Sequence, residues 1–453
     1  MAACAGCTKL VQVPQPQNTI TTEETFSTDA SATAAIVGIY NDMLTGNAGS
    51  GYNLSYGNGL TTIDCGMSAD ELLPFGGVSP FQTMVLNSST SDINYAFWPG
   101  PYYDIYLANA TIEGLQNSSG VSPSGRAQLT GEAKFLRAFC YFYLVNWFGA
   151  VPLVTTTAYA TTDTLSRSAV ATVYLQIISD LKDAQNLLAD DYSVSGGQRI
   201  RVNKYGAAAL LARAYLYTLD YPDAEAAATT VINASGLYTL ESNLNNVFLD
   251  TSSEAILQLA TYNSYPYATE EANSILPSYP GGSPNYYLTS QLVASFEPRD
   301  QRYPSWIDST NVSGTEYYFP NKYNVYASSG AITENYVLLR LAEQYLIRAE
   351  ARAEQNNLSG AISDLDVIRQ RAGLDSLSSS LNQAGVLAAV MQERKIELFC
   401  EWGHRWLDLK RTGQAIAILS SDKGITVTPD DLLYPIPASE LTNDGSLVQN
   451  PGY

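Results

Sequence analysis

Two pairs of helical segments in this chain follow one template, and that template restricts the fold more than any other feature. Each pair consists of two segments joined by a short turn, 203–219 with 222–235 and 335–356 with 358–372. In each pair two alanines stand twelve positions apart, Ala212 with Ala224 and Ala349 with Ala361. Small residues allow two helices to approach closely, while larger neighbours fill the remaining space. The pattern therefore predicts two tightly packed helical hairpins.

The other positions of the template carry large residues or a further small one. They are Leu211, Tyr215 and Ala228 in the first pair and Tyr345, Leu365 and Ile368 in the second. Small and large residues alternate in this way in tetratricopeptide repeats. A weaker third copy begins at Ala138 and Tyr141 and finds its second helix only at 168–190. Because the copies are not contiguous, they predict hairpins stacked into one α-helical body rather than an open solenoid.

Apolar residues at helical spacing predict further helices elsewhere in the chain. These segments are 28–45, 101–117, 126–148, 383–402 and 405–419. Two long stretches, 46–100 and 236–334, lack this period and are rich in Gly, Ser, Asn, Pro and aromatic residues. A short strand is predicted near 255–262. Loops of this length in a compact protein are usually functional. The predicted fold is mainly α, with long irregular loops and a few short strands.

The balance of charge limits the kinds of partner. The chain has 24 basic and 44 acidic residues among 453, a net charge of −20. Nucleic acids and anionic lipid surfaces need basic patches, so neither is expected as a partner. Tyrosine is frequent, with 32 residues against 12 Phe and 5 Trp. Tyr rings carry one polar end and are common at binding surfaces as well as between helices. The composition fits a neutral ligand.

Catalysis has little support in the sequence. Asp70-Glu71 and Asp430-Asp431 are the visible carboxylate clusters, but adjacent residues point in different directions, and glycoside hydrolysis needs two carboxyls across a cleft. His404 is the one histidine and stands in a helical segment, where a structural hydrogen bond is its expected role. No phosphate-binding loop, dinucleotide fingerprint or zinc spacing is present, so no cofactor or metal is predicted. Cys140 and Cys400 lie in apolar helical runs and are expected in the core.

The N-terminus carries a different signal. Ala5-Gly6-Cys7 matches the end of a lipoprotein processing site, and a polar, Pro-containing stretch follows it to about Asn18. An acylated cysteine followed by a flexible segment holds a folded domain at a membrane. We therefore predict lipidation at Cys7, a tether over residues 1–18 and a folded domain over 19–453. Cys4 stands where a leucine is usual, and no apolar segment precedes it.

Several motifs together resemble the SusD/RagB family of surface glycan-binding lipoproteins. The motifs are Ser68–Glu71, Gly131–Ala138 with Tyr141–Leu144 and Phe148–Leu153, Asn203–Ala207, Arg340–Ala353, Glu393–Leu398, Gly403–Arg411, Tyr434–Glu440 and Gln449–Tyr453. The resemblance runs in order from Cys7 to Tyr453. It implies a helical domain of tetratricopeptide type with a loop-rich binding face and an acylated N-terminal cysteine. It also implies a position at the cell surface in the outer membrane of a Gram-negative bacterium, and a SusC-like TonB-dependent transporter as partner.

The ligand implied by the resemblance is an oligosaccharide or polysaccharide, bound without catalysis. Apolar faces of sugar rings stack on Trp, Tyr or Phe, and polar side chains take the hydroxyls. The family motifs do not transfer to individual rings, so the candidates come from the two irregular stretches. The predicted stacking residues are Trp306, Tyr286, Tyr287, Tyr279 and Phe75, and the predicted polar residues are Arg299, Asp300 and Asp70. The C-terminal motifs are expected to be scaffold.

Two other functions remain open at this point. A helical-repeat lipoprotein that binds only proteins or peptides would share the fold and have no affinity for glycans. A glycoside hydrolase is a weaker alternative, because the sequence gives no partner for either carboxylate cluster. Such an enzyme would release reducing ends from the polysaccharide that it binds, and none are expected. The sequence does not identify the glycan.

Overall fold

A computed structural model describes residues 21–46, 55–261, 267–326 and 330–453. Helices dominate these ranges, which confirms the predicted mainly α fold. They are α1 (Thr22–Thr25), α2 (Asp29–Thr45), α3 (Thr61–Ser68), α4 (Pro80–Thr83), α5 (Pro99–Asn117), α6 (Pro123–Phe148), α7 (Tyr159–Thr162), α8 (Val170–Leu187), α9 (Lys204–Tyr217), α10 (Tyr221–Ile232), α11 (Glu270–Ile275), α12 (Ser290–Val293), α13 (Arg302–Trp306), α14 (Leu341–Glu354), α15 (Leu358–Arg371), α16 (Gln383–Glu397), α17 (His404–Arg411), α18 (Ala415–Lys423) and α19 (Ala438–Asn443). None of the helices within these ranges is long and apolar enough to cross a membrane.

Short strands form three antiparallel pairs in the described ranges. The strands are β1 (Leu72–Pro74), β2 (Ala255–Leu259), β3 (Tyr286–Leu288), β4 (Ile307–Val312), β5 (Thr315–Pro320) and β6 (Tyr336–Arg340). The pairs are β1 with β3, β2 with β6, and β4 with β5. The predicted strand near residue 255 is confirmed as β2, which is buried along its whole length.

The predicted helical hairpins are confirmed. Helix α9 packs on α10, and α14 packs on α15, while α6 packs on α8 as the third copy with its long connection. The four template alanines, Ala212, Ala224, Ala349 and Ala361, have no exposed surface. Helix α9 begins at Asn203, whose side-chain oxygen accepts hydrogen bonds from the backbone N–H groups of Tyr205 and Gly206 at 3.0 and 2.9 Å. Such a cap satisfies donors that have no partner inside the helix.

Several predicted segments differ from the structure, among them the helix predicted over 383–402, which ends at Glu397, and the stretch 236–334, which contains α11, α12 and α13. Residues 336–340 form strand β6 rather than the start of a helix, because a short buried apolar run has the same composition in either state. The segment 405–419 is divided into α17 and α18, and Gly413 between them has a positive φ of 69°. The stretch 46–100 contains α3, α4 and π-helical turns at Tyr56–Leu60 and Ile93–Phe97.

The C-terminal segment closes the helical body, as predicted. The backbone N–H of Tyr434 donates to the carbonyl oxygen of Trp147 at 2.8 Å. The side-chain amide of Asn450 donates to the carbonyl oxygens of Phe148 and Tyr434 at 3.0 and 2.8 Å. Both contacts fix the end of the long helix α6. The Pro-rich segment is therefore part of the scaffold.

A network of buried ion pairs joins the C-terminal helices to β2, β6 and α13. Arg340 donates to Glu254, Glu397 and Glu401 at 2.9, 2.6 and 2.7 Å. Other buried members are Asp300, Arg302, Lys322, Arg369, Arg371 and Glu393. Buried charges need oppositely charged partners, and here each guanidinium contacts one or more carboxylates. The interleaved charges of the C-terminal helix thus belong to the interior.

The cysteines that the structure describes are free thiols in the core. Cys65, Cys140 and Cys400 are buried, and burial raises the pKa of each thiol. The predicted core role of Cys140 and Cys400 is confirmed. Cys7 lies outside the described residues, so its predicted lipidation stays a prediction.

Candidate functional site

The structure divides the eight predicted ligand residues into two groups. Trp306, Asp70 and Asp300 are buried, with exposed fractions of 1%, 3% and 3%. The others are partly or fully exposed: Phe75, Tyr279, Tyr286, Tyr287 and Arg299. A buried side chain cannot touch a sugar without rearrangement of the loops around it. The predicted ligand roles of the first three residues are therefore wrong for this structure.

Trp306 is a core residue at the end of α13. Its indole N–H donates to the carbonyl oxygen of Leu244 at 3.0 Å. The ammonium of Lys322 lies 4.8 Å from the centre of its ring, and Phe248 packs edge-on against it. These contacts all lie in the protein interior. The carbonyl oxygen of Leu244 supplies the partner that the N–H group of a buried Trp needs.

Asp70 and Asp300 are members of buried ion pairs. Asp70 accepts two hydrogen bonds from Arg405 at 2.7 and 2.8 Å. Burial opposes the charged form of Asp70, but Arg405 outweighs it and holds the pKa of this carboxyl below its usual range. Asp300 accepts from the guanidinium of Arg302 at 2.7 Å. Both carboxylates stabilise the scaffold.

Arg299 is exposed but stands apart from the predicted rings. Its guanidinium donates to Asp375 at 3.1 Å, and both side chains are mostly in solvent. Its backbone has a positive φ of 76°, which is unusual for a residue other than glycine. Arg299 does not line either of the two surface features, described next, that contain the other exposed candidates.

The first of these features is a cluster of three rings, one directly after β1, one on β3 and one on β5. Tyr317 contacts Phe75 and Tyr287, each edge-on with ring centres 5.0 Å apart. All three side chains are partly exposed. The backbone N–H of Phe75 donates to the carbonyl oxygen of Asn285 at 2.8 Å, which extends the pairing of β1 with β3. The two irregular stretches thus meet at this cluster, which we name the ring cluster (Phe75, Tyr287, Tyr317).

Tyr286 lies beside the ring cluster on β3, opposite Pro74. Successive residues of a strand point to opposite faces, so Tyr286 and Tyr287 face different sides. Burial raises the pKa of Tyr286 to about 12, and the nearby carboxyls of Asp64 and Asp92 add to the shift. Its ring is half-buried and packs against the core.

The second feature is an open cleft with a volume of about 510 Å³. Tyr279 stands at this cleft with 67% of its surface exposed. The other polar residues that line it are Ser278, Asp308, Ser309, Thr310, Asn321, Asn324 and Tyr326. We name it the Tyr279 cleft. An exposed ring among amides, hydroxyls and one carboxylate is a suitable surface for a sugar.

A tight turn holds Tyr279 in place. The backbone N–H of Gly282 donates to the carbonyl oxygen of Tyr279 at 2.9 Å, and Gly281 has a positive φ of 79°. A Cβ atom at position 282 would lie 3.0 Å from that oxygen and 3.2 Å from the ring. The hydroxyl of Thr310 donates to the carbonyl oxygen of Gly282 at 3.1 Å, which attaches the turn to β4. The ring is therefore presented by a fixed loop.

The hairpin of β4 and β5 connects the two features. Phe319 lines the cleft, and Tyr317 belongs to the ring cluster. Residues two apart in a strand lie on one face, about 7 Å apart. Thr310, opposite Tyr317, and Asp308, opposite Phe319, line the cleft as well. The ring cluster and the Tyr279 cleft thus adjoin on one face of this hairpin.

Several residues of this surface were not among the predicted ligand residues. They are Tyr317, Asp308, Asn321 and Asn324. One signal was available: Ser313-Gly314 separates two short runs that contain β-branched and aromatic residues, as in a two-residue hairpin. Both residues have positive φ, 53° and 88°, as a type I′ turn requires. Which side chains of the hairpin meet the upstream loops depends on tertiary packing.

Among the residues that the structure describes at this surface, few groups could act in catalysis. Among the described residues that line the cleft, Asp308 is the only charged side chain. His404 is buried in α17, and burial with several nearby cations lowers its pKa well below the usual value. In the described ranges, no group of three or more His, Cys, Asp or Glu side chains is placed to hold a metal ion. The arrangement can bind a polar ring but offers no pair of carboxyls.

Comparison with known proteins gives consistent matches. The sequence model described as SusD family matches residues 301–453, and one described as "Starch-binding associating with outer membrane" matches residues 77–216. SusD-like protein P2 of Formosa agariphila is 29% identical over 509 residues, covering 99% of this chain and 97% of that protein. SusD-like protein P25 of the same organism is 24% identical and covers 100% of this chain and 97% of its own length.

Solved structures agree with the sequence matches. A structure described as "Laminarin binding SusD-like protein" has a TM-score of 0.78 and 26% identity, covering 94% of this chain and all of that chain. A SusD superfamily protein from Parabacteroides distasonis has a TM-score of 0.80 and 24% identity, covering 96% of this chain and all of that chain. At 24% identity, the match to the Parabacteroides distasonis protein shows a shared fold.

Proposed function

We propose that this chain, which belongs to the SusD family, binds an oligosaccharide or polysaccharide without cleaving it and delivers it to a SusC-like TonB-dependent transporter. The binding surface consists of the Tyr279 cleft and the adjoining ring cluster. Sugar rings stack on Tyr279 and on the exposed edges of the cluster. Their hydroxyls form hydrogen bonds with the amides and hydroxyls of the cleft.

The observation that carries this proposal is the exposed ring of Tyr279 beside Asp308, Ser309, Asn321 and Asn324. An exposed aromatic ring beside polar side chains offers an apolar face on which a sugar ring can stack. The amides and hydroxyls supply both donors and acceptors, which suits the hydroxyl groups of a neutral sugar. The laminarin-binding relative supports a glycan as the ligand.

The absence of cleavage is part of the proposal. Hydrolysis of a glycosidic bond needs an acid and a second carboxylate, separated by about 5–9.5 Å. Asp308 is the single carboxylate among the described lining residues. The other carboxylate clusters of the sequence do not supply a partner, because Asp70 and Glu71 are buried and Asp430 and Asp431 do not line the cleft.

Binding is tested with one ring and a matched control. Tyr279→Ala removes a ring that is 67% exposed at the cleft, and Tyr159→Ala removes one that is 76% exposed on α7. Titration calorimetry and affinity gels would use laminarin, starch, dextran and xylan. We expect Tyr279→Ala to weaken binding of the recognised polysaccharide about tenfold or more, since truncation of an anchoring ring commonly exceeds 1 kcal/mol. Tyr159→Ala should bind like the unmodified protein.

Two results would contradict the proposal. If no polysaccharide binds the unmodified protein, the alternative of a protein-binding or peptide-binding lipoprotein gains support. If a polysaccharide binds and loses reducing ends during incubation, the chain is a hydrolase. Equal affinities for the two Tyr variants would place the ligand elsewhere on the surface.

We also propose that Cys7 is acylated and that the protein lies on the outer face of the outer membrane. The description of the matching family as associated with the outer membrane supports this location. In the native bacterium, Cys7→Ala should move the protein from the membrane fraction to the soluble fraction. If the variant stays with the membrane in a strain that lacks the partner transporter, the acyl chain is not its anchor. The unmodified protein should co-purify with a SusC-like transporter.

A further inference from the structure

The basic residues of this chain are distributed very unevenly. The sequence contains no Lys, Arg or His between Lys9 and Arg126, although that segment holds ten Asp and Glu residues. A second such gap runs from Arg213 to Arg299. These two gaps contain β1, β3, Phe75 and Tyr279, and they supply about half of the proposed binding surface. The other half comes from residues 308–326, where Lys322 is the one basic residue of the sequence. The surface is therefore built from segments that carry little positive charge.

The few cations near the rest of the surface are occupied elsewhere. Lys322 follows β5, but its ammonium is buried and bound to Glu401 and to the carbonyl oxygen of Glu397 at 2.5 and 2.9 Å. Arg302 is buried between Asp300, Glu393 and Glu397. Arg299 is paired with Asp375. None of these cations is directed at the Tyr279 cleft.

Lys423 and the internal segments outside the described residues are two further places where a positive charge could lie. Lys423 donates to the carbonyl oxygens of Met67 and Gln82 at 2.6 and 3.1 Å. The internal segments outside the described residues, 47–54, 262–266 and 327–329, contain no basic residue in the sequence. The cleft is therefore left with the exposed carboxylate of Asp308 as its only charge among the described lining residues.

We infer that the Tyr279 cleft selects neutral glycans and rejects glycans that carry carboxylate or sulfate groups, with Asp308 as the residue that sets this selectivity. The inference rests on the proposed function and deepens it by naming the ligand class. Recognition of a uronate or a sulfate requires an Arg, a Lys or a set of backbone N–H donors directed at the anion. An uncompensated like charge also opposes binding.

The test compares one polysaccharide in two charge states. The probe is the neutral polysaccharide of the panel above that binds most tightly, together with its own carboxymethylated derivative at a low degree of substitution. The unmodified protein should bind the derivative at least tenfold more weakly at low salt. The ratio of the two dissociation constants should fall towards one as NaCl is raised to 0.5 M, because salt screens exposed charges.

Asp308→Asn identifies the residue responsible. Whatever happens to the affinity for the neutral polysaccharide, the ratio of the two constants should fall severalfold in this variant. Asp308→Lys should lower the ratio further. Asp163→Asn removes the same charge from an exposed position that does not line the cleft, so it should keep the ratio of the unmodified protein.

The outcomes distinguish this inference from the proposed function. If neither the neutral polysaccharide nor its derivative binds, glycan binding itself is wrong. If the derivative binds as tightly as the neutral polysaccharide, glycan binding stands and charge selectivity is wrong. If Asp308→Asn and Asp163→Asn change the ratio equally, the selectivity does not come from Asp308, and the inference fails at that residue.

Discussion

Glu397 and Asp104 are both buried carboxyls, and they differ in their surroundings. Glu397 lies on α16 among Arg371, Arg340 and Arg302. Burial opposes its charged form, yet these three cations hold its pKa well below the usual range. Asp104 lies on α5 inside the segment without cations, and burial raises its pKa well above the usual value. The surroundings therefore favour the charged form of a buried carboxyl in one region and its neutral form in the other.

The difference extends to their neighbours. In the cation-rich region around α16 and α17, Asp408 also has a lowered pKa, since Arg394 and Arg411 outweigh its burial. In the cation-poor region, residues 10–125, burial raises the pKa of Asp64, and it raises the pKa of Glu71 to about 8. Asp70 is an exception, because Arg405 of α17 reaches it across the core. In these examples, the buried carboxyls with a lowered pKa are those that several arginines, or Arg405 alone, contact directly.

The largest expected effect is the loss of the charge on Glu397. Glu397→Gln leaves three buried arginines with less compensation, and breaking a buried ion pair typically costs about 3–5 kcal/mol. We expect a loss of this size in the free energy of unfolding at pH 7, measured with urea. Asp375→Asn removes a carboxylate from the exposed pair with Arg299 and should cost about 1 kcal/mol or less. Equal losses in the two variants would show that the network contributes no more than a surface pair.

A second prediction places Trp306 in the cation-rich interior rather than in the binding surface. Trp306→Phe keeps an aromatic ring but leaves the carbonyl oxygen of Leu244 without its donor. We expect a loss of roughly 1–3 kcal/mol in the free energy of unfolding. The affinity of the folded protein for its polysaccharide should not change. Weaker binding by a variant that is fully folded would return Trp306 to the ligand site.

The sequence predicted most of the fold because the template alanines report on helix packing directly. Ala212 and Ala349 are small where two helices meet, and no other arrangement explains their spacing as simply. The C-terminal motifs were also interpreted correctly as scaffold. Strand β6 was missed because Tyr336–Leu339 is a short apolar run without a diagnostic period.

The binding residues were harder to predict, because a sequence does not show which way a ring faces. Residue type alone favours Trp306 and Asp300 as ligand residues, yet Asp300 is paired with the buried Arg302, which also contacts Glu393 and Glu397. Tyr279 stands in a turn of Pro and Gly residues, where little apolar material is available to cover a ring. Tyr317 reaches Phe75 only through tertiary contact between segments more than 200 positions apart. Its partner cannot be deduced from local pattern.

A third prediction uses pH to examine the cation-poor region. The folded pKa of Glu71 is about 8 and the ordinary value is 4.5, so folding takes up a proton between these two values. This group therefore stabilises the fold below about pH 4.5, and its contribution is lost as the pH rises towards 8. Each pH unit inside the window is worth up to about 1.4 kcal/mol.

Glu71→Gln removes this titration while keeping an acceptor for the backbone N–H of Cys400. Between pH 5 and pH 8, the free energy of unfolding of the variant should fall less steeply than that of the unmodified protein. Urea unfolding at several pH values measures the two slopes. Asp163→Asn, at an exposed position, should leave the slope unchanged. Parallel curves for Glu71→Gln and the unmodified protein would mean that Glu71 is already ionised in the fold.

The smallest expected effect is that of Asp104→Asn, and it tests the contrast between Asp104 and Glu397 most directly. Asp104 accepts a hydrogen bond from the hydroxyl of Tyr56, and an asparagine can accept the same bond with its carbonyl oxygen. If Asp104 is a neutral acid at pH 7, Asp104→Asn exchanges one uncharged group for another of similar shape. The free energy of unfolding should then change by roughly 1 kcal/mol or less. A loss comparable to that of Glu397→Gln would mean that Asp104 is ionised without a cation beside it. The charge difference between the two regions would then not follow from the placement of the arginines.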